Sequence, residues 1–145
     1  MENLNKKRAA ILVVEDNHLD ILVIKVLLEK HFNLYIVTSG KDALKAAEDF
    51  DFDIVLSDIN LGNGSMDGVQ VMKALRESKK NKHLKIFALT AYAENREYYL
   101  EAGFNEVLTK PVIKEEIFDI LNESVTEEYK FSEIVLKKNI IRKQF

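Results

Sequence analysis

The sequence predicts an α/β protein with a doubly wound, five-stranded parallel sheet and helices on both faces. Five short apolar runs alternate with five segments of helical periodicity. Such alternation is typical of parallel sheets connected by right-handed crossover helices. The third run, Ile54 to Ser57, has no charged residue, as expected for a strand covered on both faces.

The elements follow from aliphatic runs bounded by turn and cap signals. The predicted strands span residues 9–14, 34–37, 53–57, 84–89 and 105–108. The predicted helices span residues 18–30, 41–49, 68–78, 93–102 and 114–124. Asn17 or Asp16 is expected to cap the first helix, Thr38 or Ser39 the second, and Gly103 suits the end of the fourth.

Length and charge limit the classes of protein. The 145 residues fit one domain at 9–125, after a polar lead at 1–8 and before a tail at 126–145. A net charge of -3 argues against direct nucleic-acid binding, and the absence of cysteine excludes thiolate metal sites. No apolar run is long enough to span a membrane, so we expect a cytoplasmic protein without a membrane partner.

The tail is the one compositional shift, because its basic residues outnumber its acids. Phe131, Ile134, Val135 and Ile141 predict an amphipathic helix. That helix could serve contact with a partner or a second copy, or it could be the ordered end of a monomer.

Polar residues stand at the carboxyl ends of four predicted strands, which converge on one edge of a doubly wound sheet. Glu15 and Asp16 follow the first strand, and Asp58 follows the third. Three crowded carboxylates repel one another and need a cation, and oxygen ligands of this kind suit Mg²⁺.

Thr90 and Lys110, at the ends of the fourth and fifth strands, add a hydroxyl and a fixed positive charge. Together they complement a phosphoryl group. An aspartate can form an acyl phosphate, so in-line attack by Asp58 is the reaction that this residue set favours.

Each residue also has a structural interpretation. Most acids such as Glu15, Asp16 and Asp58 are helix caps, and a lone threonine or lysine is usually a strand-end cap or a solvated charge.

Two other classes of protein share either this fold or an aspartate nucleophile. A flavin-type cofactor binder needs a phosphate loop after the first strand, where two acids stand instead. An aspartyl phosphatase usually has an acid two residues after its nucleophile, where this chain has Asn60.

Over residues 9–124 the chain resembles the CheY-like receiver domains of two-component response regulators. Five motifs occur in the family's order: Val13-Val14-Glu15-Asp16-Asn17, Asp58-Ile59-Asn60-Leu61, Met66-Asp67-Gly68, Leu89-Thr90-Ala91 and Leu108-Thr109-Lys110-Pro111. The resemblance implies strand order 2-1-3-4-5.

The resemblance also implies residue roles. Asp58 would be the phosphorylation site, with Thr90 and Lys110 as its catalytic partners. Mg²⁺ would be held by Glu15, Asp16, Asp58 and the backbone carbonyl of Asn60. Tyr92 would flank the phosphoryl group, and the bond before Pro111 would be cis.

The chain departs from the family at three places. Val107 stands where an aromatic residue is common, and valine is too short and stiff to act as a rotamer switch. Glu15 replaces the more frequent aspartate, and the loop after Asp58 is longer than usual.

By resemblance, the chain is a signalling module rather than an enzyme acting on external substrates. It would accept a phosphoryl group from a sensor histidine kinase or a histidine phosphotransfer protein and hydrolyse it from Asp58. No output domain is recognisable after the receiver. We therefore expect a phosphorelay step or a switched interaction with a downstream protein, with a homodimer possible.

The first helix has more apolar residues than one face requires. We predict a core stripe of Leu19, Leu22, Val23, Val26 and Leu27. A second face then carries Ile21, Ile24 and Leu28. That second face is either buried more deeply, against the last helix, or is a docking surface for a helical phosphodonor.

Overall fold

In the computed structural model of the chain, residues 8–62 and 66–125 are described, and five parallel strands alternate with five α-helices along them. The strands are β1 (Ala10–Val14), β2 (Asn33–Val37), β3 (Ile54–Asp58), β4 (Lys85–Thr90) and β5 (Glu106–Thr109). The helices are α1 (His18–Leu28), α2 (Gly40–Asp49), α3 (Gly68–Glu77), α4 (Arg96–Ala102) and α5 (Lys114–Ser124). The tail at 126–145 and its predicted helix lie outside the described residues, as do residues 1–7.

The strands lie in the order β2-β1-β3-β4-β5, which confirms the predicted fold. Their register sets the carboxyl ends nearly level. Val14 pairs with Ser57, Asp58 with Leu89, and Thr90 with Thr109. The residues that follow these strands therefore meet at one edge of the sheet.

Two apolar layers enclose the sheet, and β3 is buried along its whole length. Val55 faces the layer formed with α2, α3 and α4, whose buried residues include Met72. Ile54 and Leu56 face the layer formed with α1 and α5. Successive strand residues point to opposite faces, so both faces of β3 are apolar over Ile54 to Leu56.

Side chains cap the starts of three of the five helices. The side chains of Asn17, Ser39 and Asp67 each accept a backbone N–H at the start of α1, α2 and α3. The fourth helix instead begins with a 3-10 turn at Ala93–Asn95. No side chain caps that turn, and a tighter turn is a common way for uncapped helix ends to satisfy backbone groups.

The predicted core stripe of α1 is wrong. Four of its members are exposed: Leu19 (73%), Leu22 (56%), Val23 (42%) and Val26 (67%). Ile24 and Leu28, assigned to the second face, are buried against α5. Both faces are apolar at helical spacing, so periodicity did not distinguish them, and packing against the sheet and α5 decided which one faces inward.

No helix in the described ranges combines the length and apolar character needed to cross a bilayer.

Candidate functional site

Three carboxylates lie together at the carboxyl edge of the sheet. Glu15 directly follows β1, Asp16 is the next residue, and Asp58 ends β3. One oxygen from each lies within 4.8 Å of the others. These oxygen donors fit a hard divalent cation such as Mg²⁺, so the residues present suit the ion that the sequence predicted.

Glu15 is fully buried, which is unusual for a carboxylate. Burial raises the pKa of Glu15 to about 7, with a further contribution from the Asp58 charge, although the hydrogen bond from Lys110 opposes the rise. Its second oxygen accepts the backbone N–H of Asn17 at 3.1 Å. A cation at the cluster would favour the ionised form of Glu15 and offset this cost.

Asp16 joins the loop after β3 to the edge of the site. Its carboxylate accepts the backbone N–H of Gly62 at 2.7 Å. A side chain at position 62 would begin only 3.1 Å from that carboxylate oxygen. Glycine at this position therefore permits the close approach between loop and acid.

Asp58 is buried but has few backbone donors. The N–H of Asn60 lies 3.4 Å from one of its oxygens, a long contact, and Asn60 itself is exposed. Gly68, at the start of α3, packs so closely against the Asp58 backbone that a Cβ there would overlap the Asp58 carbonyl oxygen. The motif glycine thus allows α3 to begin directly behind the acid.

Lys110 connects the acids. Its Nζ lies 2.9 Å from Glu15 Oε1, 2.9 Å from Asp20 Oδ2 and 3.3 Å from Asp58 Oδ2. Burial disfavours the ammonium charge, but the hydrogen bonds to Asp20 and Glu15 outweigh it and raise the pKa of Lys110. The lysine is therefore charged throughout the physiological range and is directed at Asp58.

Asp20 is the residue that sequence reasoning missed. It lies in the first turn of α1, where an acid is ordinarily explained by the helix dipole. Its distance in sequence from Lys110 gave no signal of the contact. The available clue was its spacing of four and eight residues from Ile24 and Leu28, the buried face of α1.

Thr90 is buried at the end of β4, one residue after Leu89, which pairs with Asp58. Its hydroxyl oxygen accepts the backbone N–H of Tyr92 at 3.1 Å, and its carbonyl accepts the N–H of Lys110 at 2.7 Å. Tyr92 is half-exposed on the loop that follows. The threonine and the lysine are thus held together through the backbone at this edge.

Val107 and Pro111 lie on and after β5. Val107 is buried in the same apolar layer as Tyr99 and Phe104. The Lys110–Pro111 bond is cis, as predicted.

Comparison with known proteins gives concordant results. A sequence model of the response regulator receiver domain matches residues 11–122. The chain is 32% identical to the sensor histidine kinase GacS of Pseudomonas protegens over 126 residues, covering 83% of this chain but 14% of the kinase. It is 25% identical to the cell cycle transcriptional regulator CtrA of Caulobacter vibrioides, covering 88% of this chain and 54% of the regulator.

Solved structures agree. The receiver domain of the sensor histidine kinase PA1611 from Pseudomonas aeruginosa, with a magnesium ion coordinated in its active site cleft, matches with a TM-score of 0.73 and 31% identity. The match covers 81% of this chain and 98% of that one. The chemotaxis response regulator CheY4 of Vibrio cholerae matches with a TM-score of 0.72 and 25% identity, covering 82% and 100%.

The family match spans most of the chain, the strand order is the expected one, and the carboxylate cluster lies beside Lys110 at the carboxyl edge of the sheet. The chain therefore belongs to the family of response regulator receiver domains, the phosphoryl-accepting modules of two-component signal transduction.

Proposed function

We propose that Asp58 is the phosphorylation site and that phosphorylation requires Mg²⁺. The observation that carries this proposal is the placement of the Asp58 carboxylate. It lies 3.3 Å from the ammonium group of Lys110 and within 4.8 Å of carboxylate oxygens of Glu15 and Asp16. Among described residues, no other set of acids forms such a cluster.

In this proposal an oxygen of Asp58 attacks the phosphorus in line, forming a P–O bond as the bond from phosphorus to the donor's imidazole nitrogen breaks. Glu15, Asp16, Asp58 and the carbonyl of Asn60 would hold Mg²⁺. The bound ion would supply positive charge to the phosphoryl oxygens. The magnesium ion in the similar PA1611 receiver domain supports this assignment.

Lys110 and Thr90 would stabilise the phosphoryl group. The ammonium is already directed at Asp58, so it needs little reorganisation to pair with a phosphoryl oxygen. The contact from the Tyr92 N–H uses a lone pair of the Thr90 hydroxyl, which leaves its proton for donation. Movement of Thr90 toward the phosphoryl group would then shift the loop that follows β4.

The conformational change that follows phosphorylation would differ from that of relatives with an aromatic residue on β5. Val107 packs in the core and has few rotamers, so we expect the change to appear in the 90–93 loop and α4. Tyr92 would flank the phosphoryl group and hinder the attacking water during self-hydrolysis. The partner that binds the phosphorylated form would be a downstream protein or a second copy of the chain.

The donor would be a sensor histidine kinase or a histidine phosphotransfer protein, with transfer in the cytoplasm. The chain spans 14% of the length of the GacS kinase that it matches, so the kinase activity of that relative is not attributed to it. The exposed apolar stripe of α1 (Leu19, Leu22, Val23 and Val26) begins beside the site and suits a helical donor. A docking role was one of two alternatives for the second face of α1, which is buried at Ile24 and Leu28, so we assign that role to the exposed stripe instead.

The test is labelling with acetyl phosphate in the presence and absence of Mg²⁺, followed by intact mass. Asp58→Asn is expected to abolish the phosphoryl adduct, because the amide is a poor nucleophile. The matched control is Asp53→Asn, at the other end of β3, which should be labelled like the unmodified chain. Labelling of Asp58→Asn at the unmodified level, or labelling that persists with EDTA, would contradict the proposal.

A further inference from the structure

Lys110 has a carboxylate partner that does not come from any strand end. The Asp20 carboxylate on α1 lies 2.9 Å from Lys110 Nζ, as close as Glu15 and closer than Asp58. An ammonium group has three protons. In this structure three acids face it, so the lysine has an acid partner for each proton.

The backbone of α1 directs Asp20 toward the site. Asp20, Ile24 and Leu28 are spaced four residues apart and share the inward face of the helix. The backbone N–H of Asp20 donates to the Asn17 side chain at 3.0 Å, which anchors the turn. The same face that packs the helix against the core therefore carries a carboxylate to Lys110.

This contact is partly shielded from water. The Lys110 side chain is 18% exposed and that of Asp20 is 37% exposed. Asp20 also brings a fourth negative charge to a site that already holds Glu15, Asp16 and Asp58. An incoming phosphoryl group is itself anionic, so this charge acts against its binding, while the same charge favours a cation.

We propose that Asp20 is a positioning residue of the phosphoryl-transfer site, which holds Lys110 in the resting state and weakens the affinity for anionic phosphodonors. The inference rests on the proposed function. When the phosphoryl group arrives, Lys110 exchanges one carboxylate for a phosphoryl oxygen. Glu15 is needed to hold the cation and Asp58 to form the P–O bond. Asp20 is therefore the carboxylate that Lys110 releases.

The experiment compares Asp20→Asn with Asp42→Asn. Asp42 is the equivalent first-turn acid of α2, and its backbone N–H donates to the capping Ser39 side chain. Unlike Asp20, it is exposed and forms no ion pair with a lysine of the described residues. Asp20→Asn is expected to lower the half-saturating acetyl phosphate concentration about three- to tenfold at saturating Mg²⁺, which is the size of one partly screened charge. Asp42→Asn should stay within about twofold of the unmodified chain.

Mg²⁺ titration supplies the readout that a structural role would not produce. Removing a negative charge should weaken Mg²⁺ binding about two- to fivefold while strengthening donor binding, whereas local unfolding would weaken both. Asp20→Glu keeps the charge and should remain within about twofold of the unmodified chain in both measurements.

Three results would overturn the inference: Asp20→Asn behaving like Asp42→Asn, Asp20→Asn weakening both ligands, or Asp20→Glu behaving like Asp20→Asn. Failure of the proposed function would look different. The unmodified chain would then not be labelled at all, and the Mg²⁺ titration would still report whether Asp20 acts on the site.

Discussion

Two aspartates at opposite ends of the central strand show how position decides what a carboxylate does. Asp53 precedes β3, where its carboxylate accepts the N–H of Ala10 at 2.8 Å. Its own N–H donates to the Ala10 carbonyl at 2.8 Å. Asp58 ends the strand, where its neighbours are other acids and the ammonium group of Lys110.

The difference lies in the partners. At the amino end, backbone donors at the start of β1 satisfy the acid, so Asp53 helps to hold two strands in register. At the carboxyl end, the chains of β1 and β3 continue into loops that carry more acids, and charge is concentrated rather than neutralised. The amino end of the sheet thus contributes stability, while at the carboxyl end Lys110 offsets only part of the negative charge and a bound cation would offset more.

The largest expected effect uses Glu15, the most deeply buried acid of the carboxyl end. Burial raises its pKa from 4.5 to about 7, so the folded chain favours the protonated acid. The contribution of Glu15 to the free energy of unfolding is therefore fully present below about pH 4.5 and is lost as pH rises through about 7. Without metal, the folded chain should lose up to about 3 kcal/mol between pH 5 and pH 8 from this group. Glu15→Gln should lack that loss.

The measurement is urea denaturation in EDTA at pH 5 and pH 8, repeated with Mg²⁺. Mg²⁺ should reduce or reverse the pH effect in the unmodified chain, because a cation favours the ionised acid. Parallel stability profiles for Glu15→Gln and the unmodified chain would show that burial does not penalise this charge.

An intermediate effect is expected from alanine at each end of β3. Asp53→Ala leaves the N–H of Ala10 without its acceptor and should cost about 1–2 kcal/mol. Asp58→Ala relieves repulsion and should be neutral or stabilising in EDTA at pH 8. Equal destabilisation by both substitutions in the same denaturation assay would remove the distinction between the two ends.

The smallest effect on stability is expected from the exposed stripe of α1. Leu22→Ser and Val26→Ser should change the free energy of unfolding by less than about 0.5 kcal/mol and leave acetyl phosphate labelling unchanged. Transfer from a phosphohistidine protein should slow at least about tenfold, if the stripe docks the donor. Stopped-flow or gel transfer assays measure this.

The control is Phe50→Ser, which removes another exposed apolar side chain, one that packs beside Tyr35 on β2. An equal slowing in Phe50→Ser, or none in the α1 variants, would indicate that the donor docks elsewhere.

The sequence alone determined the fold, the strand order through the family resemblance, and the residues that meet at the carboxyl edge. Strand ends are marked by abrupt changes from apolar to polar residues, and parallel strands bring such ends together whatever the details of packing. Glu15, Asp16, Asp58, Thr90 and Lys110 were therefore identifiable before any coordinates.

Only the tertiary structure decided the rotation of α1 about its own axis. The helix is apolar on nearly all sides, so its sequence is compatible with two buried faces, and packing against β-strands and α5 selects Ile24 and Leu28. That choice exposes one apolar stripe and turns Asp20 toward Lys110. Both consequences depend on contacts between residues far apart in sequence. Local periodicity carries no information about which face a distant element will cover.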